Sequence, residues 1–447
     1  MPIQNGGLFG GVFARGGADT SDTAWLQAML DAEAGLARAL ERAGLAPAGS
    51  GAAVTAAAKA EDFDAAELGE LAALTGNPVP GLARELARKV DGPPARAVHR
   101  GATSQDILDT AAMLLARQAI DATKADLTAA AAAAASLARS HASTLMIGRT
   151  LLQQAVPVTF GVLAAGWLAG LDAAIDGLTR ARNDRLAVQF GGAAGTLASL
   201  GPDGIRVKAL LAAELDLADP PLPWHTERLR IIDVATAMAR VTATLSKIAR
   251  DVTLLAQTEV AEVGEGAARQ GPPGAPGVVA AVAILGCARQ APGLLATLVA
   301  SAEQEHQRAA GAWHAEWQPF GHLLQIVSSA AAWASDLLSH LGVDSAKMAA
   351  NLTAAGGLPL AEHVTALLRN ALGGPQAHDL VTTAAARAAA SGLPLPDVLL
   401  ASGELEDRLA RAGIGQAQIE AALDPAGYLG ASDDFIAAAL RAHERAS

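Results

Sequence analysis

The segment RLRIIDVATAMARVTATLSKIARDVTLLAQTEVAE, residues 228–262, decides the fold class. Its apolar residues Val234, Met238, Val241, Leu245, Ile248, Val252 and Leu255 are spaced alternately four and three apart. That spacing is a heptad seam, and it predicts one helix from about Arg228 to Glu262. At ~1.5 Å per residue the helix is a rod of roughly 50 Å. Rods of this length belong to long bundles or to oligomers that share one. The plainer alternative is an ordinary amphipathic helix of a single domain.

Working outward, other long helices are legible. One is expected from Ser104 to about His141, with Thr103 or Ser104 as N-cap. A second opens at Pro157, a favoured first-turn residue, and runs to about Leu186. A third spans Val278 to Ala309 with a kink at Pro292, and a fourth spans Phe320 to Leu341. Before them, residues 18–45 form a helix carrying Trp25, Met29, Leu30, Ala37 and Leu40. After Gly342, short helices are separated by Gly356-Gly357, Gly373-Gly374-Pro375 and Asp424-Pro425. The expected architecture is all-α: an N-terminal helical domain (1–104), a central long-helix bundle (105–345) and a C-terminal helical domain (346–447).

Composition supports helices and narrows function. Of 447 residues, 51% are hydrophobic and 17% charged, which excludes a disordered chain. Only 3% are aromatic and alanine dominates, which favours packed helices over sheets. A net charge of −12 argues against nucleic acid as partner. The single cysteine, Cys287, excludes an internal disulfide and a multi-cysteine metal site, and its apolar helix face (Val282, Leu285) reads as core. The apolar stretches 155–171 and 278–288 stop at Asp172 and Arg289, short of the ~20 residues that span a bilayer. No basic residue precedes Arg15, so no signal peptide is read and a cytoplasmic location is expected.

Four polar clusters interrupt this background. His99-Arg100-Gly101-Ala102-Thr103-Ser104-Gln105-Asp106 stands at a helix entrance, where free N–H groups and the helix dipole favour an anion. The same residues also read as a simple N-cap with solvated neighbours. Gly148-Arg149-Thr150-Leu151-Leu152-Gln153-Gln154 precedes Pro157, and Trp224-His225-Thr226-Glu227-Arg228 precedes the heptad helix. Glu305-His306-Gln307-Arg308 is followed by Trp313-His314-Ala315-Glu316-Trp317. The His306–His314 spacing is not that of a metal pair, so no metal and no cofactor are expected. Gly191-Gly192-Ala193-Ala194-Gly195 lacks the lysine of a phosphate loop and reads as a flexible connection.

The first cluster resembles the first signature of the aspartase/fumarase superfamily, and Gly148-Arg149-Thr150 with Gln153 resembles the second. The 3-carboxy-cis,cis-muconate cycloisomerase family is the nearer resemblance. It rests on Trp25-Leu26-Gln27-Ala28-Met29-Leu30-Asp31, Phe190-Gly191-Gly192-Ala193-Ala194-Gly195, Pro223-Trp224-His225-Thr226, Gln304-Glu305-His306, Trp313-His314-Ala315-Glu316-Trp317 and Asp424-Pro425-Ala426-Gly427-Tyr428-Leu429-Gly430. The resemblance implies a homotetramer around a twenty-helix core, with active sites built from signatures of three chains. It implies addition or elimination across a carbon–carbon double bond of a small di- or tricarboxylate. Thr103 and Ser104 match the family's carboxylate-binding pair, His99 its substrate-contacting histidine, and Arg149, Thr150 and Gln153 its second region. Arg100 is a further cation beside them.

The third signature departs. The family's mobile loop carries adjacent serines, Met-Pro, a lysine and an asparagine. Here the stretch 264–277 reads GEGAARQGPPGAPG and is several residues shorter. No serine occurs between Ser246 and Ser301, and no lysine between Lys247 and Lys347. Leu151 and Gln154 stand where relatives carry histidine, and neither side chain is a general acid or base. The base is thus unassigned, with His99, His225, His306 and His314 as candidate proton carriers and Arg269 as the loop's one cation. Two functions compete: a cycloisomerase/lyase with an altered catalytic loop, or a non-catalytic anion-binding or scaffold homologue.

Overall fold

A computed structural model of the chain describes residues 7–266, 277–401 and 413–446. Its long helices are α1 (Asp22–Arg42), α2 (Ser104–Ser140), α3 (Phe160–Arg185), α4 (Leu229–Leu255), α5 (Val279–Ala300) and α6 (Ala312–Ser339). Named strands among the described residues form two antiparallel pairs. One joins β1 (Leu145–Thr150) to β2 (Gln153–Thr159), the other β3 (Val263–Glu265) to β4 (Leu341–Val343). The fold is all-α, as the composition and the seam predict.

The seam is a core stripe. Val234, Met238, Val241, Leu245, Ile248, Val252 and Leu255 are all buried within the single chain, so the heptad alone does not demand a partner subunit. Each such side chain contributes about 1.5–3 kcal/mol relative to exposure. The alanine run in α2 buries one face, with Ala130, Ala131, Ala134, Ala135 and Ala138 at 1% exposure or less. Small side chains on that stripe let neighbouring elements approach closely.

The chain divides into two compact units. The first comprises Met1–Ala129, Ala173–Ala249 and Ala280–Asp336. In it, α1 packs on the helices Ser50–Ala57 and Gly204–Leu215. Cys287 is fully buried with Ala280, Ala283 and Ile284, and burial pushes its thiol up to about 11. Val282, expected beside it, is mostly exposed. The second unit comprises Ala130–Asp172, Arg250–Val279 and Leu337–Ser447. Here Trp167 Nε1 donates to Asp251 at 2.7 Å. The helices α7 (Ala361–Leu372) and α8 (Gly374–Ser391) bury Val364, Leu368, Ala377 and Val381 with Leu395 and Ile419.

Several boundaries differ from expectation. Pro157 lies in β2 opposite Ile147 rather than opening a helix. The β-branched residues around it favour a strand, and Thr159, whose Oγ1 accepts from Val162 N–H, caps α3 instead. Helix α4 ends seven residues early because Ala261 adopts φ 51° and Glu262 N–H turns back to Leu255 O. Helix α5 stops at Ala300 rather than Ala309, ahead of a turn in which His306 has φ 53°. Helix α6 starts at Ala312, after Gly311 at φ 112°, so Pro319 lies inside it. By length and composition α3 and α5 are apolar enough to cross a membrane, which revises the shorter stretches read from sequence. Core helices of bundles meet the same test, and α3 buries Trp167, Leu168, Leu171 and Leu178 at 1% exposure or less.

Candidate active site

In the first unit, α2 begins at Ser104, and Asp106 organises its entrance. One Asp106 oxygen accepts Thr103 N–H (3.0 Å) and Gly192 N–H (2.9 Å). The other accepts Gly191 N–H (3.0 Å) and lies 2.6 Å from His225 Nε2. The stretch 191–195, expected to be a flexible connection, is therefore tied down at its start. Its other side is held by Arg308, which donates to Gly192 O and Ala193 O and to Gln105 Oε1. Gly191 must be glycine: a Cβ there would lie 2.8 Å or less from Pro223 and His225 atoms.

His99 is held differently. Its Nδ1 is 2.6 Å from Glu33 Oε1, and its backbone N–H donates to Glu33 Oε2 at 2.8 Å. Glu33 is fully buried on α1, while the His99 side chain keeps 26% exposure. Burial lowers the His99 pKa, but the bond and charge of Glu33, with the charge of Asp106, outweigh it and raise the pKa above 6.5. The hydroxyls of Thr103 and Ser104 are half-buried and make no hydrogen bond among the described residues. At a helix start they add donors to the free N–H groups of the first turn. Arg100 is exposed and donates to Leu45 O.

The other candidate histidines separate by burial. His225 is 4% exposed, and its Nε2 is held 2.6 Å from Asp106. His306 is exposed; its carbonyl accepts from Thr226 Oγ1. His314 is exposed, with Nε2 3.0 Å from Gly76 O and its ring against Trp313 and Trp317. Beneath this surface Arg228 bridges Asp109 (2.8 and 3.0 Å) and Glu316 (2.6 Å), all three buried. Burial disfavours the Arg228 cation, but the two carboxylates more than restore it. Trp313 Nε1 and Gln189 also donate to Asp109. Spacing alone hides this network. Its only signal is charge on an apolar stripe, as with Glu33 among Met29, Leu36 and Leu40.

In the second unit the β1–β2 hairpin carries the other cluster, with Thr150 paired to Gln153. Gly148 marks its irregular register, and a Cβ there would lie 2.5 Å from Val156 O. Arg149 forms a bidentate pair with the buried Glu262 (2.7 and 2.8 Å), and Asn351 Nδ2 also donates to Glu262 at 2.8 Å. Arg149 Nη1 also meets Ile147 O at 3.4 Å, and Glu262 balances the arginine's charge locally. Thr150, Gln153 and Gln154 are exposed. The tip residues Leu151 and Leu152 both have left-handed φ (52° and 64°) and are 96% and 74% exposed. Arg269 lies outside the described residues, as does most of the altered loop. Among the described residues no group of three or more His, Cys, Asp or Glu could hold a metal ion.

The lyase family model matches residues 20–275, and the adenylosuccinate lyase C-terminus model matches 357–439. The chain belongs to the lyase family, within the aspartase/fumarase superfamily. It is 44% identical over 436 residues to a 3-carboxy-cis,cis-muconate cycloisomerase of Bradyrhizobium diazoefficiens, covering 96% of each chain. It is 42% identical over 445 residues to a nitrosuccinate lyase of Streptomyces davaonensis, covering 96% of this chain and 93% of that one. The crystal structure of a 3-carboxy-cis,cis-muconate lactonizing enzyme from Pseudomonas putida superposes with a TM-score of 0.91 at 38% identity, over 98% and 99% of the two chains. This lyase-family member is an enzyme of the lyase or intramolecular-lyase type. The non-catalytic alternative is not favoured by these relatives. The stretch 264–277 carries no serine and no lysine in its sequence.

Proposed function

We propose that the protein catalyses addition or elimination across the C=C bond of a small di- or tricarboxylate, with 3-carboxy-cis,cis-muconate as the first substrate to try. One observation carries this: two unpartnered hydroxyls, Thr103 and Ser104, at a helix N-terminus beside a histidine held by a buried carboxylate. In this reading Thr103, Ser104 and Arg100 hold substrate carboxylates, and the resemblance adds Thr150 and Gln153 as donors from the second signature of another chain. Arg149 orients more than it attracts, since Glu262 neutralises it. His99 is the proton carrier, because among the candidates it alone combines partial exposure with a contact to a buried carboxylate. In lactonisation a substrate carboxylate oxygen bonds to one alkene carbon. The π pair moves to the neighbouring carbon, which takes a proton from His99 Nε2–H. Intramolecular attack gains from orientation and needs no strong base.

A second reading is favoured by the near-equal similarity to the nitrosuccinate lyase. Elimination of a good leaving group also makes a smaller demand on the missing serine base. Purified protein is therefore assayed for loss of diene absorbance with 3-carboxy-cis,cis-muconate and for nitrite release from nitrosuccinate. Rapid diene loss is the expected result. Folded protein that releases nitrite but leaves the diene intact moves the assignment to elimination, and silence in both overturns the substrate class.

The same reading includes the three domains at 1–104, 105–345 and 346–447, and a homotetramer in the cytoplasm. Support for subunit packing comes from α5, whose apolar 18-residue window is only 33% buried in one chain and exposes Val279, Val282 and Val299. Light scattering behind size exclusion tests it; a monomeric mass removes the tetramer.

A further inference from the structure

We propose that Glu33 is a positioning residue: its buried carboxylate fixes His99 in the Nδ1–H form and so leaves Nε2 as the atom that exchanges a proton with substrate. The proposal rests on the reading above that His99 is the proton carrier.

One carboxylate makes two bonds to one residue. Oε1 meets the ring and Oε2 meets the backbone N–H. Together they fix both the ring and the main chain of His99, which has φ 54°, a left-handed conformation that non-glycine residues adopt only under strain. Such strain persists only where the surroundings over-determine it. Glu33 is itself at 0% exposure, on the face of α1 that buries Met29, Leu30, Leu36 and Leu40. A carboxylate so placed needs a compensating partner, and His99 is the one it has in these bonds.

The chemistry follows from the two ring nitrogens. A carboxylate only accepts, so Nδ1 must carry the hydrogen whenever Glu33 is ionised. Neutral His99 then presents a lone pair at Nε2, a base. Protonated His99 presents Nε2–H, an acid. In the elimination direction Nε2 takes a C–H proton, the C–H pair becomes the new π bond and the leaving group departs with its own pair. In the addition direction the proton returns to carbon. The charged groups around the ring are Glu33 from α1 and Asp106 from α2, both of which favour the cation. Arg100, its neighbour in sequence, is directed to Leu45 O.

The test is the side-chain NMR of the full-length protein labelled with ¹⁵N-histidine, His99 being assigned by the signal lost in His99→Gln. The wild type is expected to titrate above 6.5 and to be the Nδ1–H tautomer when neutral. Glu33→Gln is expected to lower that pKa by one unit or more, a tenfold change in the protonation constant, and to mix the tautomers. Glu33→Asp is expected to restore both. On the substrate that turns over, Glu33→Gln is expected to lose tenfold or more in kcat with KM within twofold, and to shift the limb of the pH profile with the NMR pKa. A neutral Nε2–H form in the wild type, or an unchanged titration in folded Glu33→Gln, overturns the proposal whether or not any variant folds poorly. If the NMR behaves as stated but neither substrate reacts, the positioning stands and the substrate assignment alone fails.

Discussion

Two segments carry similar side chains and are built in opposite ways. Residues 99–106 offer histidine, arginine, threonine and serine, and residues 149–154 offer arginine, threonine and glutamine. In the first, the left-handed residue His99 has a buried carboxylate behind it, and Asp106 gathers three N–H groups and a histidine. In the second, Glu262 and Asn351 secure only the base of the hairpin, through Arg149. Its two left-handed residues, Leu151 and Leu152, sit at an exposed turn of the kind that favours Asn-Gly. Similar donors thus serve as a rigid wall in one place and a strained tip in the other. The difference is how much of the segment a buried acceptor reaches: Glu33 and Asp106 tie both ends of the first, while Glu262 reaches only Arg149 of the second.

The largest expected effect tests the rigid wall. Arg228→Met leaves Asp109 and Glu316 buried without their cation, and unfolding midpoints in urea should register a loss of about 3–5 kcal/mol. A loss under 1 kcal/mol means that Asp109 and Glu316 do not depend on that cation for their burial.

Next comes the hairpin base. Arg149→Ala strands Glu262, but solvent reaches a quarter of the arginine side chain and Asn351 remains, so about 2–3 kcal/mol is expected from the same measurement. Calorimetry on that variant should show a smaller loss of polycarboxylate affinity than Thr103→Val or Ser104→Ala. The reverse order would make Arg149 a principal anion contact despite its pairing.

The tip should respond in the other direction. Replacing Leu151 by Asn and Leu152 by Gly removes the left-handed penalty and is expected to stabilise by about 1–2 kcal/mol, raising the melting temperature. An unchanged or lower value would show that contacts of the two leucines, not the turn, set the local energy.

The smallest effect is a pH dependence. His99 has a raised folded pKa, so its contribution to stability is fully present below the unfolded value of about 6.5. It is lost as pH rises through the higher folded value. Urea midpoints of wild type against Glu33→Gln should therefore converge as pH rises across that window. A difference that stays constant with pH excludes the His99–Glu33 charge as its source.

Much of this was legible in the chain. The seam in α4 and the start of α2 at Ser104 follow from periodicity and local chemistry, although neither the Thr103 nor the Ser104 hydroxyl makes the expected capping bond among the described residues. Pro157 misled because a proline suits the first turn of a helix and also an edge strand, and only its pairing with Ile147 selects the strand. The histidines could not be ranked from sequence for a related reason. His225, His306 and His314 look alike in sequence, while packing buries one against Asp106 and leaves two at the surface. Glu33 was passed over because one charge on an apolar stripe carries no local signal of the residue it will meet.

The sequence by itself determined the helical class, the family resemblance and the absence of serine from the stretch 264–277, because each is written in residue identity and short spacing. Only the tertiary structure decided which carboxylate stands behind which donor. Glu33 is 66 residues from His99, and Asp106 is 119 from His225. Those bonds form where packing brings distant helices and loops together, and burial makes a carboxylate without a partner too costly to keep.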